Sequence, residues 1–154
     1  MNPPPAKAIF DGFGRPQVDL YQLYDNHRHF RHVLIEYAIL HGFEFKKIKA
    51  LSSRQTFKYK AEGCPWRIHA STSPCKNYFM VKNFMSEHRC KAVWNNILAS
   101  SAWIAKALAI DFKDDPSMSL GNIRHKLKDR YGLTGMPKCK FFRARLKAKG
   151  GTNI

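Results

Sequence analysis

The chain has 154 residues, room for one modest domain or two small ones with limited cores. A 44% hydrophobic and 13% aromatic content argues against disorder, and no run of 18 apolar residues is present to cross a membrane. The 27 Lys and Arg outnumber the 11 Asp and Glu, and the excess sits in two blocks: 11 basic and 3 acidic over 43–91, then 10 and 1 over 120–154. Two such blocks suit a polyanion, because each phosphate neutralised releases condensed counterions. An anionic membrane suits them less, since neither block joins a wide apolar face to Trp anchors.

The opening MNPPPAKAIFDGFG has neither a basic n-region nor an apolar h-region, so a secretory signal is not expected. The four unevenly spaced cysteines (Cys64, Cys75, Cys90, Cys139) then read as thiols or metal ligands rather than disulfides. Prolines 3–5 with Gly12, Gly14 and Pro16 make 1–24 an irregular leader. A helix over 26–41 follows Asp25 as its cap, with Phe30, Val33, Leu34, Tyr37 and Ala38 on one stripe and Gly42 as its stop. His27, His29, His32 and His41, on and around this helix, lack a metal-pair spacing and read as solvated.

The period then changes. Residues 43–50, 56–61, 65–72 and 78–85 alternate apolar with polar or basic residues, and their short connections leave no room for crossovers. They form a four-stranded antiparallel β meander spanning about 43–86, with an apolar face and a Lys/Arg face. After Cys90 the pattern is helical, over 101–112, 119–131 and 137–148. The last of these helices is expected to bury Cys139, Phe142 and Leu146, and the last two resemble a helix-turn-helix pair. The fold class is α+β, divided into the leader, a β domain at 25–92 and a basic helical module at 100–150.

Cys64 opens the third strand and His88-Arg-Cys90 follows the fourth. In an antiparallel hairpin these positions share one end, so the three side chains can converge on a Zn2+ ion. Cys75 belongs to the opposite end, about 25 Å away at roughly 3.3 Å per residue. The fourth ligand is open: Glu62, a water, or a weakened or lost site. The polar face carries Lys46, Lys47, Lys49, Lys58, Lys60, Arg67 and Lys82. The last helix carries Lys138, Lys140, Arg143, Arg145, Lys147 and Lys149. Both sets are expected to contact double-stranded DNA, with arginine the better reader of guanine edges and lysine the better phosphate holder.

Three segments, Gly63-Cys64-Pro65-Trp66-Arg67-Ile68-His69-Ala70-Ser71, Tyr78-Phe79-Met80-Val81-Lys82 and Glu87-His88-Arg89-Cys90, resemble the DNA-binding domain of plant Mutator-like (MuDR) transposases. The likeness continues upstream through Phe30 to Gly42. Downstream it takes in Trp103-Ile104-Ala105, Ile123 to Gly132 and Lys138 to Arg145, so it covers roughly 25–149. It implies a zinc-stapled four-stranded fold of WRKY–GCM type, a nuclear location, and the terminal repeats of a transposable element, or related regulatory sequences, as target. The family's first zinc cysteine is missing, with Tyr59 or Lys60 in its place, which bears on metal affinity rather than fold. The family's catalysis belongs to a following RNase H-like domain, so this chain is not expected to be an enzyme. Two alternatives are an interaction fragment that self-associates or pairs with full-length transposase, and an RNA binder presenting Phe57, Tyr59 or Tyr78 as stacking platforms.

Overall fold

The computed structural model describes residues 16–75 and 77–150. The chain divides into two compact units, Met1–Ala92 and Val93–Ile154. The expected leader lies mostly outside the described residues.

The first unit is a five-stranded antiparallel sheet with one helix on its apolar face. Helix α1 (His27–His41) is capped by Asn26, one residue later than the sequence suggested: its side-chain oxygen accepts the His29 N–H at 2.9 Å. Gly42 ends the helix in the left-handed region, φ 72°, and its N–H returns to the Ala38 and Ile39 carbonyls. Phe30, Val33, Leu34, Ala38 and Ile39 are buried. Phe30 lies 5.5 Å from Phe79, 6.4 Å from Phe57 and 5.2 Å from Tyr24, centroid to centroid, and so pins the helix to the sheet. Each such ring, fully buried, contributes about 1.5–3 kcal/mol through removal from water. His27 and His29 are half-buried rather than solvated: the His27 ring meets Gln55 at 3.4 Å, and His29 Nδ1 accepts the Asp25 N–H at 3.1 Å.

Strands β2 (Phe45–Ala50), β3 (Arg54–Tyr59), β4 (Arg67–Thr72) and β5 (Phe79–Met85) form the expected meander. A short strand β1 (Leu23–Tyr24) adds to the outer edge of β5, giving the order β1-β5-β4-β3-β2. Leu23 pairs with Met80 and Tyr24 with Phe79. Two residues carry no readable alternation, which is why this fifth strand was taken for leader. Its pairing is set by β5, with the Tyr21 N–H donating to the Val81 carbonyl at 2.8 Å.

The second unit is helical. α2 (Ser101–Ala107) and α3 (Ala109–Asp114) replace the single helix expected over 101–112, with Leu108 (φ −105°, ψ 22°) between them. α4 (Leu120–Tyr131) starts on Ser119, whose hydroxyl accepts the Asn122 N–H at 3.1 Å, and stops at Gly132. α5 (Lys138–Ala148) packs on α2, α3 and α4. Its buried residues are Phe141 and Ala144, one position away from the expected stripe. Cys139 and Phe142 are exposed and Leu146 is half-buried. Asp111 joins α3 to α4 by a two-pronged ion pair with Arg130, 2.7 and 2.8 Å, and a third contact to Lys126 at 3.3 Å.

Candidate metal centre and basic sheet face

Gly63, at φ 91°, turns the chain after β3 in a conformation that favours glycine, and the next residue is Cys64. His88 and Cys90 follow the end of β5, so the three side chains meet at one end of the sheet. The two sulfurs are 3.4 Å apart, and His88 Nδ1 stands 3.7 Å from Cys64 Sγ and 3.6 Å from Cys90 Sγ. A tetrahedral zinc with ligands at about 2.0–2.3 Å has ligand–ligand edges of about 3.3–3.8 Å. The triangle fits that ion. Two sulfurs and an imidazole nitrogen are also the donor types that favour zinc over harder cations.

The electrostatics fit as well. Burial opposes ionisation of Cys64, but backbone N–H groups of Arg89 and Trp66 and the adjacent Cys90 outweigh it and lower its thiol below the ordinary value. Burial, then the neighbouring Cys64, raises the Cys90 thiol above its ordinary value, so of the two Cys64 is the readier to ionise. Burial, then the charge of His41, lowers His88 and keeps its ring neutral, the form that binds a metal. His88 stacks on Trp66 at 5.9 Å and packs against Phe43 at 4.3 Å, which fixes the ring plane.

Glu62 does not join this group. Its side chain is 90% exposed and is turned to Lys58, 3.8 Å away. Tyr59 is the nearer neighbour: its phenol shares a hydrogen bond with Cys90, and this bond, then burial, pushes its ionisation up to about 12. Among the described residues the metal-competent group is Cys64, His88 and Cys90. Cys75 and Cys139 are exposed.

The register assigns each strand residue to a face, because residues directly opposite one another point the same way. One row on the polar face is Lys46–Lys58–Arg67, and the next is Lys49–Thr56–His69–Asn83. Arg54 and Ser71 begin a third. The other face carries Phe45 with Tyr59, and Phe57 with Ile68 and Phe84. Lys47 was placed with the polar set, but it pairs with Phe57 and belongs to the apolar face, at its outer strand. The irregularity between Lys47 and Lys49 restores Lys49 to the basic side and leaves Ile48 half exposed. Lys60 lies past β3, 3.5 Å from Glu44, so its charge is partly balanced. Lys82 falls at the irregularity in the β4–β5 pairing.

Sequence reasoning missed two residues of this face, Arg54 and His69. Arg54 fell outside the second expected strand because its alternation was started at 56, two residues too late; it has the same parity as Lys58. His69 was seen opposite the apolar positions but left unused. Its Nδ1 is 2.6 Å from the Thr56 hydroxyl. Burial, then Arg54, Arg67, Lys49 and Lys82 in turn, lower its ionisation below the ordinary histidine value.

On α5, Lys138, Arg143 and Lys149 are exposed and Lys140 is half-buried. Arg145 and Lys147 have local duties instead: Arg145 donates to the Met118 carbonyl at 3.1 Å and lies over Phe142, and Lys147 donates to the Ser101 hydroxyl at 2.7 Å. Arg124 and Lys128, one turn apart on α4, add exposed charge that the sequence reading had not singled out.

No described helix is long and apolar enough to cross a membrane. No curated protein matches the chain. Among solved structures, a crystal structure of AFT2 in complex with DNA is 18% identical with a TM-score of 0.41, over 87% of this chain and 96% of that one. Residues 17–81, which hold α1 and the sheet through the middle of β5, match the family model of the MuDR family transposase.

Proposed function

We propose that this chain binds duplex DNA through the polar face of its sheet, in the manner of the DNA-binding domain of a MuDR transposase, without carrying out strand-transfer chemistry. The observation that carries this reading is the Lys46–Lys58–Arg67 row with Lys49, Arg54 and Lys82 beside it, one basic surface in which Lys58 has Glu62 3.8 Å away. β-Sheets can enter a DNA groove, and such a row spans neighbouring phosphates while its arginines reach base edges. Phe57 and Tyr59 lie buried on the opposite face, which favours duplex DNA over a single-stranded RNA that needs stacking platforms.

Cys64, His88 and Cys90 would hold a zinc ion that ties the β3–β4 loop to the end of β5. The ion would supply structural cross-linking, and its charge favours the thiolate form of both cysteines. On α5, Lys138, Lys140, Arg143 and Lys149 supply a second contact. Arg145 and Lys147 contribute mainly by holding the helix in place. Asp111 is engaged by Arg130 and Lys126, which supports a structural rather than a metal-catalytic role for the acidic stretch at the end of α3. The target is the terminal repeat of a transposable element or a related regulatory sequence, and the place of action the nucleus.

Selection of bound sequences from random duplex DNA, with zinc and with a chelator, tests the reading. Recovery of one motif whose binding weakens on Lys58→Ala with Arg67→Ala supports it; equal recovery of all sequences, or none, overturns it. Ile110, 77% exposed on α3, favours self-association as a second reading, which sedimentation of wild type against Ile110→Glu would decide.

A further inference from the structure

We propose that His69 is the proton-accepting centre of a phosphate-binding site on the polar face of the sheet, built with Lys49, Arg54, Arg67 and Lys82, so that binding of duplex DNA takes up a proton at this residue. The inference rests on the DNA-binding reading above and adds a specific site and a linkage to it.

The site is assembled from four strands. Lys49 comes from β2, Arg54 and Thr56 from β3, Arg67 and His69 from β4, and Lys82 and Asn83 from β5. Thr56, His69 and Asn83 stand directly across from one another, and His69 interacts with all four cations. The Thr56 hydroxyl, 2.6 Å from Nδ1, fixes the ring and leaves Nε2 as the nitrogen for a ligand.

In the free protein, burial and the four cations both oppose the imidazolium form, and His69 is neutral at neutral pH. A phosphate seated among the same side chains reverses the sign of the local field. The doubly protonated ring then has a partner on each side: Nδ1–H donates to the Thr56 hydroxyl, and Nε2–H donates to a phosphate oxygen as a charge-assisted hydrogen bond. The ionisation of His69 is therefore lower free than bound. Affinity rises as pH falls between those two values, by at most about tenfold per pH unit for one proton. A lysine at this position would add charge without the linkage.

The test measures affinity of the zinc-loaded full chain for a fixed DNA duplex from pH 5.5 to 8 (roughly the range of histidine titration) at constant ionic strength. Wild type is compared with His69→Gln, and proton uptake is read by calorimetry in two buffers of different ionisation enthalpy. Wild type should gain severalfold more affinity per pH unit than His69→Gln and should take up close to one extra proton. Should His69→Gln fold poorly, NMR titration of the wild-type His69 ring with and without the duplex gives the same answer: its ionisation should move upward on binding. Binding by both proteins with identical pH slopes, or an unmoved His69 titration, overturns the proton site and leaves the DNA reading standing. Absence of duplex binding at every pH overturns both.

Discussion

Lys46 on β2 stands directly across from Lys58 on β3, two ammonium groups on adjacent strands of one sheet face. Like charges placed opposite each other destabilise a strand pair by about 0.2–1 kcal/mol, and a third strand extends the row with Arg67. A fold under selection for stability alone relieves such a row with a carboxylate; a surface that meets a polyanion retains it. Lys46→Glu should therefore raise the midpoint of thermal unfolding while weakening duplex binding and flattening its salt dependence. The expected loss of slope is about 0.9 per phosphate contact removed. Thermal denaturation and fluorescence anisotropy at several salt concentrations measure the two effects. A variant that loses stability and keeps its affinity would exclude this row from the interface.

The Cys64–His88–Cys90 triangle gives a contrast between two cysteines of one domain. Removing zinc or substituting Cys64→Ala should loosen the β3–β4 loop and the end of β5 together, since the three donors join those segments. Cys75→Ala should leave them intact, because Cys75 is exposed and meets Ser73 rather than the triangle. With only three donors in the group, metal affinity should fall as pH drops and protons compete for the two sulfurs. Amide exchange on β4 and β5, with and without chelator, reads the effect. Equal exchange in the two cysteine variants would count against a structural metal.

Much of this was legible because period and spacing are local properties. The shift from the 3.6-residue stripe of α1 to alternation from 43 located the sheet, and the positions of Cys64 and His88 relative to a hairpin located the triangle. What escaped depends on partners distant in sequence. β1 is a strand because β5 offers it an edge, and Lys47 changes face because an irregularity two residues on shifts the register. On α5 the sequence offers Phe141 and Phe142 side by side, and only packing against α2, α3 and α4 decides that Phe141 goes inside. Glu62 had the right chemistry for a fourth ligand, but its exposed position lets it meet Lys58 instead.

The basic residues of α5 should separate into two groups. Lys138→Ala with Arg143→Ala should weaken DNA binding across sequences and leave stability within about 0.5 kcal/mol, as is usual for exposed positions. Arg145→Ala should destabilise the helical unit by about 1–2 kcal/mol, because it removes the donor to the Met118 carbonyl and the cover over Phe142. Chemical denaturation alongside binding distinguishes them. If Arg145→Ala changes affinity alone, its side chain acts on the ligand and not on the fold.

The Asp111–Arg130 pair should make the helical unit sensitive to acid in a defined window. The hydrogen bond from Arg130 is the main cause that holds the Asp111 carboxyl down to about 2 from an ordinary 3.8, with Lys126 helping. The folded state therefore favours the ionised form more than the unfolded state does, and its stabilisation is complete above the ordinary value. It declines as pH falls from about 4 toward 2, where Asp111 takes up a proton and the pair opens. The Arg130 side chain is 43% exposed, so water and salt screen much of the interaction, and about 1 kcal/mol is the expected worth. Asp111→Asn keeps the shape and removes the charge. The stability difference between wild type and this variant, from denaturant unfolding followed by helical circular dichroism, should be near that value at pH 7, shrink as pH falls below about 4 and vanish only below about pH 2. A difference that stays constant over the range would mean that Asp111 acts through packing or neutral hydrogen bonds, and that the ion pair does not join α3 to α4.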